Sequence, residues 1–281
     1  MKLIECPRDA MQGIHEFIPT DIKAEYINKL LKVGFDTIDF GSFVSPKAIP
    51  QLQDTVQVLE KLDLDSSRSK LLAIVANIRG AQDASQYSQI SYLGFPFSVS
   101  ETFQKRNTNS TISASLATID ELVNLCSKHN KTAVVYLSMG FGNPYGDEWS
   151  NEIVEQLASE LVNRGVRILS LADTIGVSTP EKINYLFTHL IKQFPGTELG
   201  VHLHSTPEHW EEKINAAYSS GCKRFDSALK GLGGCPMASD QLTGNIATEN
   251  VISYLEQKDE KLNLDKEAWQ EAVNYSNKVF N

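Results

Sequence analysis

VRILSLADTIGVSTPEKINYLFTHLIKQFPGTELGVHLH, residues 166–204, holds the fold in miniature. Its opening, VRILSLAD (166–173), is a short apolar run and reads as a strand. TPEKINYLFTHLIKQFPG (179–196) has helical spacing, with Thr179 as N-cap, Pro180 at the first helical position and Pro195 past the end. A strand follows in which Leu199, Val201 and Leu203 alternate with other residues. Strand, helix, strand in that order predicts a parallel pair joined by a crossover.

The same unit recurs on both sides. KLIEC (2–6), FDTIDF (35–40), KLLAIVA (70–76), ISYLGFPF (90–97), TAVVYLSM (132–139) and KRFDSAL (223–229) read as further strands. KLLAIVA is continuously apolar, as a parallel strand covered on both faces should be. Helices are expected over 20–34, in the later part of 46–62, near 79–87, and over 113–130, 151–165 and 207–221, with two more near 247–257 and 265–279. In the first, Thr20 is the expected N-cap and Gly34 the stop, and Ile22, Tyr26, Ile27, Leu30 and Leu31 form its apolar stripe. Eight strand-then-helix units without a linker predict a closed (β/α)8 barrel of the α/β class, spanning 1–281 as one domain.

Bulk properties narrow the function. A net charge of -9 argues against a general nucleic-acid binder, because no basic field neutralises phosphates, and leaves room for a local basic patch that binds one small anion. The four cysteines, Cys6, Cys126, Cys222 and Cys235, have no CxxC spacing and are not a disulfide framework; the first three read as core residues. No run approaches a membrane span, and the first residues lack a secretory apolar segment, so a cytoplasmic protein is expected.

In such barrels reactive groups collect at the C-terminal ends of the strands. Arg8 and Asp9 stand just beyond strand one, Asp39 ends strand two, and Asp173 and Thr174 end strand six. His202 and His204 end strand seven on one face, since i and i+2 share a face. After strand eight comes the glycine-rich KGLGGCPMASDQLTGN (230–245), carrying Cys235 and Asn245. Two imidazoles, the Asp9 carboxylate and the Asn245 amide oxygen make a mixed N/O set suited to Mg²⁺ or Mn²⁺, with positions open for a chelating substrate. His15, His129, His189 and His209 read as solvated.

IECPRDAMQ, SFVSPKAIPQ, SLADTIGVSTP, GVHLHSTP and GLGGCPMASDQLTGNIATE resemble the 3-hydroxy-3-methylglutaryl-CoA lyases, a family of metal-dependent lyase barrels. The resemblance implies cleavage of that acyl-CoA to acetyl-CoA and acetoacetate, serving leucine breakdown or ketone-body supply, by a homodimer. It assigns Asp9, His202, His204 and Asn245 as metal ligands. Arg8 would stabilise the thioester oxygen as it becomes an enolate. Cys235 would be the general acid, and Asp173 and Asp39 would support the substrate hydroxyl and the metal shell. The general base is left between Asp9 and His202. Gln12 and Thr174 would contact substrate; Lys47, Lys105 and Arg106 are candidates for the nucleotide end of coenzyme A.

The chain departs from the family pattern at Asp39, where a Glu is usual, at Ala10, where Gly is usual, and at Gly13, Ile14 and His15. The loop between Cys235 and Asn245 is about one residue longer. Two other readings stay open: a Claisen-type synthase of the isopropylmalate kind, and a barrel that binds acyl-CoA without catalysis.

Overall fold

The computed structural model describes residues 1–234 and 243–280. Eight parallel strands close into a barrel in sequence order: β1 (Lys2–Glu5), β2 (Thr37–Ser42), β3 (Lys70–Ile74), β4 (Ile90–Ser98), β5 (Thr132–Ser138), β6 (Ile168–Asp173), β7 (Glu198–Leu203) and β8 (Arg224–Ser227). Closure is made by β1 against β8, with Lys2 beside Arg224 and Glu5 beside Ser227. Among the described residues the helices are α1 (Pro7–Gln12), α2 (Thr20–Val33), α3 (Thr55–Leu59), α4 (Ile78–Ser85), α5 (Glu101–Thr108), α6 (Ile112–Lys128), α7 (Asn151–Asn163), α8 (Pro180–Gln193), α9 (Trp210–Ser219), α10 (Thr248–Gln257) and α11 (Lys266–Phe280).

Strand parity sorts the core into two layers. Leu71 and Ala73 of β3 and Val135 of β5 join the large outer layer between sheet and helices. Leu72, Ile74, Val134, Tyr136 and Ile168 fill the barrel interior. The α8 cap is as expected: Thr179 accepts from the Lys182 amide, and Pro180 opens the helix. Gly34 ends α2 at φ 82, a left-handed turn that glycine adopts without steric cost.

Three expectations change. Thr20 is inside α2 instead of capping it; Pro19 stands at the cap, and the Thr20 hydroxyl donates to Asp54 at 2.8 Å. The helix expected over 207–221 starts only at Trp210, because Pro207–His209 form a turn. The sequence reading contains no α5, a helix with only Phe103 and Gln104 buried. Its start is fixed by capping: Ser100 Oγ accepts from the Phe103 amide, and Asp147 takes hydrogen bonds from Ser100, the Thr102 amide and the Thr102 hydroxyl.

Candidate active site

Arg8 and Asp9 lie on α1, which follows β1 without a loop; Pro7 at the helix start suits a position needing no donor. Both side chains are buried. Arg8 Nε reaches the Asp39 carboxylate at 3.0 and 3.2 Å and Nη2 reaches it at 2.5 Å. Nη1 donates to Asp9 at 3.0 Å and to Gln12 at 2.9 Å, and Gln12 donates back to Asp9 at 2.6 Å. A guanidinium has five N–H groups; among the described residues these contacts leave one Nη2 proton for a ligand.

Asp39 does not end its strand, as the sequence reading has it. β2 continues to Ser42, and the pairing with β3 shifts between Asp39 and Gly41. Its carboxylate is committed to Arg8, so Asp39 positions the arginine. Burial raises the Asp39 carboxyl to about 6 against the pull of Arg8, leaving it ionised at neutral pH.

His202 and His204 do share a face. Their Nε2 atoms stand 3.3 Å apart, and His204 is bridged antiparallel to Asn245. Asn245 donates to Asp9 at 2.5 Å and to the Leu232 carbonyl at 2.8 Å. Its own Oδ1, buried, has no hydrogen-bond partner among the described residues. Asp9, His202 and His204 offer ligand atoms that all lie within 4.8 Å of one another. Two ring nitrogens facing each other, a carboxylate and an orphaned amide oxygen fit a divalent cation better than any internal hydrogen bonding.

Burial opposes ionisation of Asp9, but Arg8 and the two histidines outweigh it and hold the carboxyl below its usual range. Burial also opposes charge on His202, yet Asp226 raises it above 6.5. Burial and the neighbouring His202 push His204 down to about 4.

Asp226 was missed from sequence. It is 2% exposed, and its Oδ2 lies 3.3 Å from His202 Nδ1, which orients the ring so that Nε2 faces the cluster. Below it Arg224, fully buried, has Nε 3.9 Å from Asp226 and Nη1 3.2 Å from Glu198. Gly200 makes this layer: a Cβ there would stand 2.8 Å from Arg224 Cδ. A polar pair within a strand covered on both faces was the one available signal. Tyr136 was missed too; its ring meets that of His202 edge-on at 5.8 Å.

Asp173 hydrogen-bonds none of Asp9, His202 and His204; it acts on His204 through its charge and through Lys213. Its carboxylate accepts from the Val177 and Ser178 amides, the Ser178 hydroxyl and Lys213 at 2.9 Å. Lys213 also holds the carbonyls of Gly176 and His204. Asp173 therefore anchors the loop after β6 to the histidine strand. Thr174 lines the cavity and accepts from the Met139 amide.

The cavity, about 140 Å³, is lined by Arg8, Asp9, His202 and His204 and by apolar Val44, Ile74 and Pro96. Phe103 and Asn107 of α5 also line it. Lys105, two residues from Phe103 on the helix, turns away and pairs with Glu101 at 3.0 Å. Arg106 lies 4.9 Å from the Tyr145 ring centre, and Lys47 is exposed in the turn next to cavity-lining Ala48. Cys235 lies outside the described residues. Cys6, Cys126 and Cys222 are buried, and the other four histidines are exposed, as expected. Among the described residues no helix is long and apolar enough to cross a membrane.

Residues 3–276 match the HMGL-like family model. The hydroxymethylglutaryl-CoA lyase of Bacillus subtilis is 35% identical over 261 residues, covering 93% of this chain and 86% of that protein. A crystal structure of the Bacillus subtilis HMG-CoA lyase superposes with TM-score 0.92 at 32% identity, covering 99% of this chain and 93% of that one. An Acinetobacter baumannii HMG-CoA lyase, solved with coenzyme A and 3-methylmalate, superposes with TM-score 0.90 at 30% identity, covering 99% and 90%. With its closed eight-stranded barrel and this site at the strand ends, the chain belongs to the HMGL-like family, among the HMG-CoA lyases.

Proposed function

We propose that this protein is a divalent-metal-dependent carbon–carbon lyase that cleaves 3-hydroxy-3-methylglutaryl-CoA to acetyl-CoA and acetoacetate. The observation that carries the reading is the convergence of Asp9, His202 and His204 on the cavity, with the orphaned Asn245 oxygen beside them. Those four residues would hold Mg²⁺ or Mn²⁺, whose Lewis acidity would lower the pKa of the substrate hydroxyl. The coenzyme A complex of the Acinetobacter relative supports an acyl-CoA as ligand.

Cleavage removes the proton of the tertiary hydroxyl, breaks the adjacent carbon–carbon bond, and sends that electron pair into the thioester as an enolate. The ketone left behind is acetoacetate. The base is Asp9 or His202, both in the metal group: His202 Nδ1 is held by Asp226, and Asp9 accepts from Arg8, Gln12 and Asn245. The remaining Nη2 proton of Arg8, rigidly aimed by Asp39, stabilises the enolate oxygen. Cys235 delivers the proton that completes acetyl-CoA.

Acetoacetate release from 3-hydroxy-3-methylglutaryl-CoA, with and without Mn²⁺, tests this. Wild type should turn over only with metal; His202→Ala should abolish it, and Cys235→Ala should cost about 10²–10⁴-fold. Metal-independent turnover, or full activity of His202→Ala, would overturn the assignment. Free thiol released from acetyl-CoA and a 2-oxo acid would point instead to a synthase.

A further inference from the structure

We propose that Glu5 is a positioning residue for the metal group: its two carboxyl oxygens hold both ends of the connection between β8 and α10, and so set where Asn245 stands beside Asp9. The proposal rests on Asn245 being a ligand, as argued above.

Glu5, at the end of β1, is fully buried on the same strand face as Leu3, between barrel and helices. Oε1 accepts from the Leu229 amide at 2.9 Å, just after β8. Oε2 lies 2.5 Å from the hydroxyl of Thr248, the first residue of α10, which is 2.9 Å from Ser227 Oγ. One carboxyl thus fastens the departure and the return of the segment that carries Asn245, only three residues before Thr248. The two stems are also joined directly, Ala228 N to the Ile246 carbonyl at 3.2 Å and Thr248 N to the Ala228 carbonyl at 3.1 Å.

An apolar side chain would fill this place without the cost of burying a carboxyl. What Glu5 adds is two directed contacts to two chain ends. No lysine, arginine or histidine is among the groups acting on it. From α10 it meets Glu249, whose carboxylate accepts from the Lys230 amide; from α2, the Tyr26 hydroxyl; from its own strand end, Cys6. Burial, with Glu249 adding to it, raises the Glu5 carboxyl to about 8. The neutral acid therefore makes the clamp at pH 7, and ionisation above pH 8 leaves a buried charge without a cation.

Glu5→Gln copies the neutral acid, accepting from Leu229 and donating to Thr248; Glu5→Val removes both contacts. The readouts are amide exchange at Leu229 from pH 6.5 to 9.5, corrected for intrinsic rate, and Mn²⁺ affinity by electron paramagnetic resonance. Glu5→Gln, which does not titrate, should protect Leu229 to the same extent across this pH range. Wild type should lose protection relative to Glu5→Gln by up to about tenfold per pH unit as pH rises to about 8, because opening returns the carboxyl to its ordinary range, and should level off above pH 8. Glu5→Val should leave Leu229 unprotected and weaken Mn²⁺ binding by roughly tenfold. Coincident pH profiles for wild type and Glu5→Gln, or wild-type Mn²⁺ affinity in Glu5→Val, overturn the proposal. If Glu5→Val does not fold, the Glu5→Gln comparison decides. Wild type that binds no Mn²⁺ refutes the ligand assignment and with it the role in positioning a ligand, while Leu229 exchange still reports whether the clamp exists.

Discussion

Replacing Asp226 by Asn keeps the shape of the residue under His202 and removes its charge. Two losses follow. The first is at the metal group, where the carboxylate 3.3 Å from His202 Nδ1 fixes the ring and makes it a stronger donor. Such outer partners are worth about 10–100-fold in metal affinity, or about 1.4–2.8 kcal/mol. The second is below, where Arg224, fully buried, loses its nearest interior anion and keeps only half-exposed Glu198 at 3.2 Å. An uncompensated buried charge costs about 3–5 kcal/mol, and the surviving Glu198 contact argues for about 3. At about 2–4 °C per kcal/mol for a large domain, Tm should fall by roughly 6–12 °C in the metal-free protein. Calorimetry without metal and a Mn²⁺ titration separate the two. Adding Arg224→Met to Asp226→Asn should restore most of the stability but none of the affinity. Wild-type Mn²⁺ binding in Asp226→Asn would refute the argument that this carboxylate orients the ligand.

Gly233 lies at φ +100, and a Cβ there would stand 2.6 Å from Asn245 Nδ2 and 2.9 Å from two Asp9 oxygens. Gly233→Ala should therefore weaken metal binding by at least about tenfold with little change in far-UV circular dichroism, because it displaces two ligands and no core; calorimetric titration with Mg²⁺ measures it. Metal binding should also weaken as pH falls. His202, raised above 6.5 by Asp226, must lose its proton to ligate, so affinity drops about tenfold per pH unit below its pKa. His204, already down at about 4, adds a second proton only near that pH; a slope of two protons between pH 5 and 6 would contradict that environment.

The barrel was legible because its signals are local. Period-2 and continuous apolar runs mark strands, and the 3.6 period marks helices such as α8, whose cap and prolines lie within a few residues of one another. α5 was illegible for the opposite reason: ETFQKRNT has almost no apolar stripe, and its cap is completed by Asp147, far along the chain. At the site, Asp9, His202, His204 and Asn245 could be gathered from sequence because a barrel carries every strand end to one rim, and the structure brings those four together. Asp39 and Asp173 sat at the same rim in sequence but were spent on Arg8 and Lys213, partners that only packing supplies.

Residue type and spacing were enough for the eight units, their order and the four residues proposed to bind metal. Which polar side chains face each other was settled by closure of β1 on β8 and by strand parity. Closure brings Asp9 to Asn245 and Glu5 to Leu229 and Thr248; parity turns Asp226 inward under His202. Local chain preference acts over a few residues, whereas these contacts join residues more than twenty and as many as 243 positions apart, and exist only when the whole barrel has formed.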